Sequence, residues 1–431
     1  MFLIYSIIFI ILAPVLLLLF LLLNPGRFYK EFASSLSERL GFPEVTPAVE
    51  GVKVVWIHAA SVGEVQTVEP LIRCLRSMSK SRIYIHLSVN TSAAREIARD
   101  RKLADSVGYA PVDLMLCVNR YYKTVKPVVL VLTETEIWPN MIQRSKVYGT
   151  KVVIVNGRIS SRTLNWYKLL KPFFKNVFAK VNKILARGET DAARFIEIGA
   201  GKDIIEVTGN MKFDQLRVGE ANNTNKIKTY KSFGVTPDKL IFVAGSVREK
   251  EESLVVETYH RLLSVYPELK LIIALRHNER VGVVEDLLFK YGVSYNYYSK
   301  IKSVDEKYGC QSVIIDTYGV LKHAYSIATV VFVGGSLVPA GGHNVLEPAA
   351  MGKPVIFGKY MDNFEQPAEK LVKSTAGVMV NNEEELYSQL LNLFKDAQLR
   401  KSLGDNAVRV VETFRGASER NCKYICDTLG I

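Results

Sequence analysis

The stretch VVFVGGSLVPAGGHNVLEPAAMGKPVIF, residues 330–357, contains in one short run the features that decide the fold. It opens with the apolar residues Val330–Val333, a pattern typical of a strand buried in a parallel sheet. Two glycine pairs follow, Gly334-Gly335 and Gly341-Gly342, which allow sharp turns and a close approach of the backbone to a ligand. A second apolar strand is predicted at Val355–Phe357.

A short helix is predicted between the second glycine pair and the second strand. It should begin near Asn344, tolerate Pro348 in its first turn and end at Gly352. A strand, a glycine loop and a helix N-terminus together form an anion-binding arrangement, because free N–H groups face a phosphate. Glu347 is placed to accept hydrogen bonds from ribose hydroxyls. We therefore favour a nucleotide-phosphate site, with an ordinary turn of an α/β sheet as the alternative.

Composition and charge narrow the class of protein. The 431 residues are enough for two domains with appendages, and a hydrophobic fraction of 48% argues against disorder. A formal net charge of +13 favours an anionic partner, either nucleic acid, acidic lipid or a phosphorylated substrate. No zinc, RRM or KH pattern is present, so no nucleic-acid partner is predicted. The five cysteines lack histidines at ligand spacing, so we expect reduced thiols and no metal.

The N-terminus predicts attachment to a membrane. Phe2–Leu23 is uncharged and long enough for a span of ~20 residues, so residues 1–26 are predicted to form a transmembrane anchor. Arg27 and Lys30 follow directly, which places the rest of the chain on the cytoplasmic side of the membrane. Residues 27–50 are predicted to be an amphipathic segment and linker that lies either on the bilayer or against the protein's own domain.

Strands and amphipathic helices alternate from residue 52 onward, which is typical of doubly wound parallel sheets. A polar segment, residues 216–236, interrupts the alternation and is predicted to be a linker. We therefore expect two Rossmann-like domains, 51–215 and 237–431, facing each other across a cleft. The predicted strands, all rich in apolar residues, are Val52–Ile57, Arg82–Ser88, Val128–Thr133, Lys151–Val155, Ile184–Ala186, Ile204–Val207, Leu240–Ala244, Lys270–Leu275, Val313–Asp316, Val330–Val333 and Val355–Phe357.

Carboxylates follow two predicted strands of the first domain. Ser61 and Glu64 have the spacing of a helix capping box, and on spacing alone we favour the cap over a general base. Thr133 and Glu136 have the same spacing, which explains Glu136 but leaves Glu134 without a structural reason. Carboxylates at a sheet edge in a basic protein indicate a hydroxyl-bearing substrate, as in sugar chemistry.

Basic residues mark three further places. Asn156–Lys183 has seven basic and no acidic residues with aromatics between them, and membrane contact is favoured over a solvated charged face. Lys212 follows the last strand of the first domain, where its charge can stabilise a developing anion. Arg276 follows a second-domain strand and suits phosphate binding. His277 and His343 are interpreted as structural, and Ser246 with Glu249 as a possible helix cap.

Several catalytic signatures are missing from the sequence. There is no GxxxxGK[ST] and no GxGxxG, which weakens kinase, ATPase and NAD interpretations. No Asp-x-Asp, HExxH or GxSxG occurs either. We therefore predict no cofactor and no catalytic metal.

The motifs IHAASVGEV, LTETEIWPN, NGRIS, VTGNMKFD, LRHNER, DTYGVL and FVGGSLVPAGGHNVLEPAA, taken in order, closely resemble the Kdo transferases of lipid A biosynthesis. The resemblance runs from about residue 27 to beyond residue 360. It implies the two-domain GT-B fold and a membrane anchor. It also implies transfer of 3-deoxy-D-manno-octulosonic acid (Kdo) from CMP-Kdo to a tetraacylated, bisphosphorylated glucosamine disaccharide, the lipid A precursor.

The resemblance assigns roles to individual residues. It makes Glu64 the general base, against the cap preferred from spacing, and it makes Glu134 and Lys212 stabilisers of the transition state. At position 320 the family often has glutamate where this chain has valine, so a backbone contact is the one expected there. The residues that the resemblance assigns to CMP binding are Leu275, Arg276, Tyr318, Gly319, Val320, Asn344, Val345, Leu346 and Glu347.

Two other kinds of function remain as alternatives. One is a membrane-anchored protein of the same fold that binds a nucleotide or glycolipid without catalysis. The other is a glycosyltransferase that uses another nucleotide sugar, such as a UDP-sugar.

Overall fold

The structure is a computed structural model of the chain, and it describes residues 2–32, 35–45, 51–79, 83–216, 223–301 and 310–431. The end of the predicted N-terminal linker, residues 46–50, and residues 217–222 of the predicted interdomain linker lie outside these ranges. The chain forms two compact units. The first comprises residues 1–215 together with 414–431, and the second comprises residues 216–413.

The first unit is built on a seven-stranded parallel sheet with strand order β3-β2-β1-β4-β5-β6-β7. Buried runs of valine, isoleucine and leucine form the strands, since both faces of the sheet are covered by helices. Its strands are β1 Lys53–His58, β2 Ile83–Val89, β3 Ser106–Tyr109, β4 Val129–Thr133, β5 Lys151–Gly157, β6 Lys183–Ala186 and β7 Ile205–Val207.

The described helices of this unit precede or connect the strands. They are α1 Phe2–Leu23, α2 Pro25–Glu31, α3 Leu36–Arg39, α4 Val62–Ser79, α5 Ser92–Asp100, α6 Met115–Val125, α7 Pro139–Ser145, α8 Ser161–Leu169, α9 Lys171–Phe178 and α10 Glu189–Glu197. Two short 3-10 turns, Lys202–Ile204 and Met211–Gln215, lie on either side of β7.

The second unit repeats the architecture with a second seven-stranded parallel sheet of order β10-β11-β9-β8-β12-β13-β14. Its strands are β8 Ile241–Val247, β9 Lys270–Leu275, β10 Tyr295–Tyr297, β11 Ser312–Ile315, β12 Val330–Val333, β13 Val355–Gly358 and β14 Val378–Val380. Its helices are α11 Asn223–Ser232, α12 Glu251–Leu263, α13 Val281–Lys290, α14 Leu321–Ile327, α15 Leu346–Ala350, α16 Glu365–Lys373, α17 Glu383–Lys395 and α18 Ala397–Phe414, with 3-10 turns at Asn278–Arg280 and Tyr298–Lys300.

The predicted alternation of strands and helices in two parallel α/β sheets is confirmed. Every predicted strand has an observed counterpart, with ends that differ by up to three residues. Three observed strands were not predicted, β3, β10 and β14. Each is three or four residues long, and all three are edge strands that pair on one side. The sequences of β3 and β10, SVGY and YNY, contain too few aliphatic residues to be recognised as an apolar run.

The last helix of the chain, α19 Ala417–Leu429, packs in the first unit although its residues follow the second. Cys422, Ile425 and Leu429 are buried in the same apolar cluster as residues of β1, β2 and α4. Asp214 of the first unit stabilises the start of α19, because its carboxylate accepts hydrogen bonds from the backbone N–H groups of Gly416 and Ser418, each at 2.6 Å. The predicted second domain, 237–431, thus ends with a helix that belongs to the first unit.

The N-terminal segment makes polar contacts with the first unit. In the first turn of α1, the Tyr5 hydroxyl donates to Asp113 Oδ2 at 2.9 Å, and Ser6 Oγ donates to Asn140 Oδ1 at 3.2 Å. In α3, Glu38 and Arg39 are buried against the unit. No helix within the described ranges is both long enough and apolar enough to cross a membrane, so the predicted transmembrane helix is not supported by the structure.

Candidate active site

The order of the strands points to one place in each sheet where a ligand is expected. In the first sheet, β2 and β3 are added on one side of β1, and β4 is then added on its other side. In the second sheet, β9 and the next two strands lie on one side of β8, and β12 lies on its other side. The strand order thus reverses between β1 and β4 and between β8 and β12. Ligands of open α/β sheets bind outside the carboxyl ends of the strands at such a reversal. The residues after β1 and β4, and those after β8 and β12, therefore define the candidate site of each unit.

Glu64 lies after β1, in the first turn of α4. Its Oε2 accepts a hydrogen bond from the Ala60 N–H at 2.9 Å, and its Oε1 accepts one from Ser61 Oγ at 3.0 Å. The Ser61 side chain is 3.4 Å from the Glu64 N–H, so the capping interaction predicted from spacing is present. Burial and the neighbouring carboxylates of Glu136 and Glu134 raise the pKa of Glu64 to about 7, against the opposing hydrogen bonds.

Glu134 lies after β4 and forms an ion pair with Lys212. The distance from Lys212 Nζ to Glu134 Oε1 is 2.7 Å, and Asn156 Nδ2 donates to the same oxygen at 3.3 Å. Asn156 Oδ1 in turn accepts from the Met211 N–H at 3.0 Å, which fixes the turn that carries Lys212. Glu134 and Asn156 both have left-handed backbones, with φ of +55° and +52°. Such strain in non-glycine residues collects at functional sites.

Glu136 has a different role from the helix cap predicted for it. Helix α7 begins at Pro139, and the Thr133 hydroxyl donates to the His58 carbonyl, so no capping box forms. The Glu136 carboxylate accepts from Trp138 Nε1 at 2.7 Å and lies 3.3 Å from His58 Nε2. Burial alone would raise the pKa of Glu136, but these contacts with His58 and Trp138 hold it below the ordinary value.

The first unit thus brings together the three residues predicted to carry the chemistry. Glu64, Glu134 and Lys212 lie at the carboxyl edge of β1, β4 and the neighbouring β5, with Glu136 close enough to raise the pKa of Glu64. His58, which is fully buried at the end of β1, was missed by the sequence analysis. The available signal was a polar residue at the end of an apolar strand, three residues before Ser61.

In the second unit, the loop after β12 differs from the phosphate cradle predicted for it. The backbone N–H groups of Gly335, Ser336 and Leu337 all donate to the carboxylate of Glu251, so they are not free. A Cβ on Gly334 would lie 2.7 Å from backbone atoms of Ser246 and Val247, so the loop packs too tightly there to admit a ligand. The first glycine pair therefore shapes the loop and does not bind a phosphate.

The second part of this loop retains free donors. Gly341 has φ of +81°, and a Cβ there would collide with the side chain of Asn363. No hydrogen-bond partner exists within the described residues for the backbone N–H groups of His343, Asn344 and Val345. These groups precede α15, whose Leu346 N–H is capped by Asn344 Oδ1 at 3.1 Å. An anion bound after β12 would be held at this second part of the loop.

The predicted CMP-binding residues divide into side-chain and backbone positions. Leu275, Val320, Val345 and Leu346 have buried side chains, so only their backbones face a ligand. Glu347 accepts from Asn344 Nδ2 at 3.1 Å. Burial raises the pKa of Glu347, opposed by this hydrogen bond and by Lys322.

Two further predicted CMP contacts, Arg276 and Tyr318, are exposed after β9 and β11. Arg276 has no carboxylate partner within the described parts of the chain, and its N–H donates to the Val247 carbonyl at 2.9 Å. The Tyr318 ring is 85% exposed and precedes Gly319, which has φ of +84°. Both side chains are therefore accessible to an added ligand.

Arg248 adds positive charge to the second unit's site and contacts His343 there. Arg248 Nε donates to His343 Nε2 at 3.3 Å, which gives the histidine the structural role predicted for it. Burial, together with the charges of Arg248 and Arg276, lowers the pKa of His343 to about 4, so the ring is neutral at pH 7. The cap predicted for Ser246 and Glu249 is not formed, because α12 begins only at Glu251.

Only some of the aromatic residues of the basic segment 156–183, for which membrane contact was predicted, are exposed. Phe173, Phe174 and Phe178 are buried in the core of the first unit, so these aromatics do not face lipid. Trp166 is 71% exposed on α8, which has no buried residue. Lys168 pairs with Glu197 at 2.7 Å. The exposed apolar surface is confined to α8 and the turn after it.

Comparison with known proteins identifies the family. The sequence profile described as 3-deoxy-D-manno-octulosonic-acid transferase (kdotransferase) matches residues 34–215. A 3-deoxy-D-manno-octulosonic acid transferase of Haemophilus influenzae is 32% identical over 402 residues, which cover 90% of each chain. The chain belongs to the Kdo transferase family. It is therefore a glycosyltransferase.

Other relatives agree with this assignment at the level of sequence and fold. A bifunctional glycosyltransferase/methyltransferase of Fusobacterium nucleatum is 35% identical over 334 residues, which are 77% of this chain. The match spans only about half, 51%, of that longer protein. A glycosyltransferase structure from Rickettsia africae matches 88% of this chain and 99% of its own with a TM-score of 0.61 at 14% identity. That match shows the fold of two parallel α/β domains found in GT-B glycosyltransferases.

Proposed function

We propose that this Kdo transferase moves Kdo from CMP-Kdo to a hydroxyl of the tetraacylated glucosamine disaccharide 1,4'-bisphosphate, the lipid A precursor, with inversion at the transferred carbon. The observation that carries the proposal is the setting of Glu64. Its pKa of about 7 suits a general base at neutral pH. It also lies at the carboxyl edge of the sheet beside the Lys212–Glu134 ion pair.

The proposed reaction is a single displacement. Glu64 removes the proton from the acceptor hydroxyl, whose oxygen forms a bond to the anomeric carbon of Kdo. The bond from that carbon to the phosphate oxygen breaks, and CMP leaves with the electron pair. Lys212, held by Glu134, stabilises the negative charge that develops on the leaving group.

Donor binding is assigned to the second unit. The proposed phosphate contacts are the Arg276 guanidinium and the free N–H groups that precede α15, which supply paired and backbone hydrogen bonds. The proposed contacts with the nucleoside are Leu275, Tyr318, Gly319, Val320 and the segment Asn344–Glu347. The proposed base therefore belongs to the first unit and the proposed donor site to the second, as expected for a two-domain GT-B enzyme.

We include contact with a lipid surface at the cytoplasmic face of the inner membrane in the proposal. Large apolar side chains are exposed on α1 and in the segment that contains α2 and α3, including Tyr29, Leu36 and Phe42 at 65%, 52% and 53%. Trp166, Leu169 and Leu170 form a second exposed apolar group, at 71%, 71% and 49%. Basic residues surround this second group, an arrangement that suits anionic headgroups and the phosphates of the acceptor.

The direct test is an assay of transfer with the full-length protein. Purified protein is incubated with CMP-Kdo and the tetraacyl disaccharide bisphosphate, CMP release is followed, and the product is analysed by mass spectrometry. The expected result is CMP release with addition of Kdo to the acceptor, inhibited by CMP and not by UDP. Folded protein that binds CMP but releases none from CMP-Kdo would establish the nonenzymatic alternative, and inhibition by UDP would favour another donor.

A further inference from the structure

The second unit buries a carboxylate that takes no part in the proposed chemistry. Glu251, the first residue of α12, has 0% of its surface exposed. Its Oε2 accepts from the N–H groups of Arg248 at 3.0 Å and Gly335 at 2.6 Å. Its Oε1 accepts from the N–H groups of Ser336 and Leu337, each at 2.9 Å. All four hydrogen bonds come from the backbone.

Three of these donors are consecutive residues of the glycine loop that follows β12. Consecutive backbone N–H groups that converge on one point form a concave anion site, which in other proteins holds a phosphate. Here the anion is a side chain of the protein itself. The N-terminal end of α12 adds a favourable dipole to the same carboxylate. Within the described residues Glu251 forms no ion pair, whereas the adjacent Glu252 pairs with Arg280 at 2.6 Å.

The fixed loop supports the part of the site that has free donors. The Gly335 carbonyl accepts from the Gly342 N–H at 2.7 Å, which ties the second glycine pair to the first. A Cβ on Gly335 would lie 3.0 Å from His343 Cδ2, so the backbone of Gly335 also sets the position of that ring. His343 accepts from Arg248, whose own N–H is bound to Glu251. Glu251 thus fixes Arg248 directly, through its backbone N–H, and His343 indirectly, through Gly335.

We propose that Glu251 is a positioning residue for donor binding: its carboxylate locks the loop 334–337 and, through it, the backbone donors at 343–345 that face the donor phosphate. The inference rests on the proposed function of this loop as the CMP-Kdo site. Glu251 itself does not touch the donor. Because Glu251 already restricts the loop, the loop loses little conformational freedom when the donor binds. Loss of Glu251 therefore weakens binding of the donor.

The test uses Glu251→Gln in the full-length protein, because glutamine keeps the shape and removes the charge. Its amide presents one acceptor oxygen and an NH2 group that opposes two of the four backbone N–H groups, at least one of them in the loop. Hydrogen exchange at residues 335–337 is expected to accelerate. The KM for CMP-Kdo is expected to rise by roughly tenfold or more, as for loss of hydrogen bonds to a charged group, with the acceptor KM unchanged.

Glu257→Gln is the matched control, since it removes a glutamate charge from the same helix at a partly exposed position away from the loop. It should leave both exchange and KM unchanged. If Glu251→Gln does not fold, Glu251→Asp, which withdraws the carboxylate by one methylene, is measured in the same way with the same expectation.

Two outcomes would overturn the proposal. Unchanged exchange at 335–337 in the folded variant would show that the carboxylate does not hold the loop. Faster exchange with an unchanged donor KM would reduce Glu251 to a purely structural role. Hydrogen exchange needs no substrate, so it tests the locking of the loop even if the wild-type protein were to show no transfer, and the two proposals fail separately.

Discussion

At the scale of single residues, the protonation state of Glu64 should determine how the rate of Kdo transfer depends on pH. Burial and the charges of Glu136 and Glu134 raise its pKa to about 7. A general base must be ionised, so kcat/KM should fall tenfold per pH unit below about 7 and level off above it. The measurement is the rate of CMP release from pH 5 to 9. A profile that stays flat between pH 6 and 8 would contradict the role of Glu64.

Substitution of Glu64 checks the origin of that profile. Glu64→Gln should lower kcat by ~10²–10⁴-fold, the usual contribution of a general base, and the remaining rate should no longer follow the wild-type dependence below pH 7. Glu69→Gln on the same helix removes a carboxylate that pairs with Arg73 and Arg101, and it should keep the wild-type profile. Equal losses in both variants would point to damage to α4 and not to lost catalysis.

The Lys212–Glu134 pair should act as one unit in catalysis. Its 2.7 Å contact fixes the ammonium group, and Asn156 supports the same carboxylate oxygen. If Glu134 works by placing Lys212, then Lys212→Met, Glu134→Gln and the double variant should have similar kcat values. Double-mutant cycles detect such coupling directly. Additive losses in kcat would show instead that the two residues act independently.

At the scale of elements, apolar runs predict buried strands well and capping patterns predict helix starts poorly. β9 and β12 have the predicted ends because their side chains are buried along most of their length. The same four-residue capping spacing occurs at Ser61, Thr133 and Ser246, but only Ser61 caps a helix. A cap depends on where the helix starts, and at Thr133 the following Pro139 sets that start five residues too late.

The sequence predicts which residues lie at the edge of the sheet, but it does not predict which partners they contact. Glu64, Glu134 and Lys212 follow predicted strands, so the topology of a parallel sheet brings them to one edge. Glu136 and Glu251 also follow strands, but their partners are a buried histidine and backbone N–H groups of distant loops. Local sequence does not encode such long-range contacts.

Helix α19 gives a stability prediction for the first unit. Ile425 is fully buried in the apolar cluster shared with α4, so Ile425→Ala leaves a cavity that the helix cannot close. The free energy of unfolding should decrease by about 2–5 kcal/mol. Denaturant unfolding followed by a probe in the first unit measures the change. Lys423→Ala on the exposed face of the same helix should be neutral, and an equal loss there would mean that α19 contributes by helicity and not by packing.

At the scale of the whole molecule, the net charge of +13 matches substrates that are themselves anionic. In the proposed reaction the donor carries a phosphate and a carboxylate, and the acceptor carries two phosphates. The positive groups near the second unit's site, Arg248 and Arg276, lack carboxylate partners within the described residues. Charge left unpaired at a site favours an anionic ligand, whereas most charge on a protein surface is paired or solvated.

The apolar group on and after α8 should determine how the whole protein meets lipid. Replacing Trp166, Leu169 and Leu170 with serine removes three exposed apolar side chains and no charge, so binding to phosphatidylglycerol vesicles should weaken by roughly tenfold or more. Vesicle sedimentation at low and high salt measures this loss, and the electrostatic part should remain in the variant. Phe289→Ser removes an aromatic ring that is 85% exposed on α13 of the second unit, and it should bind like the wild type. If the triple variant keeps wild-type binding at high salt, where the electrostatic part is screened, the apolar group on and after α8 does not contribute to attachment.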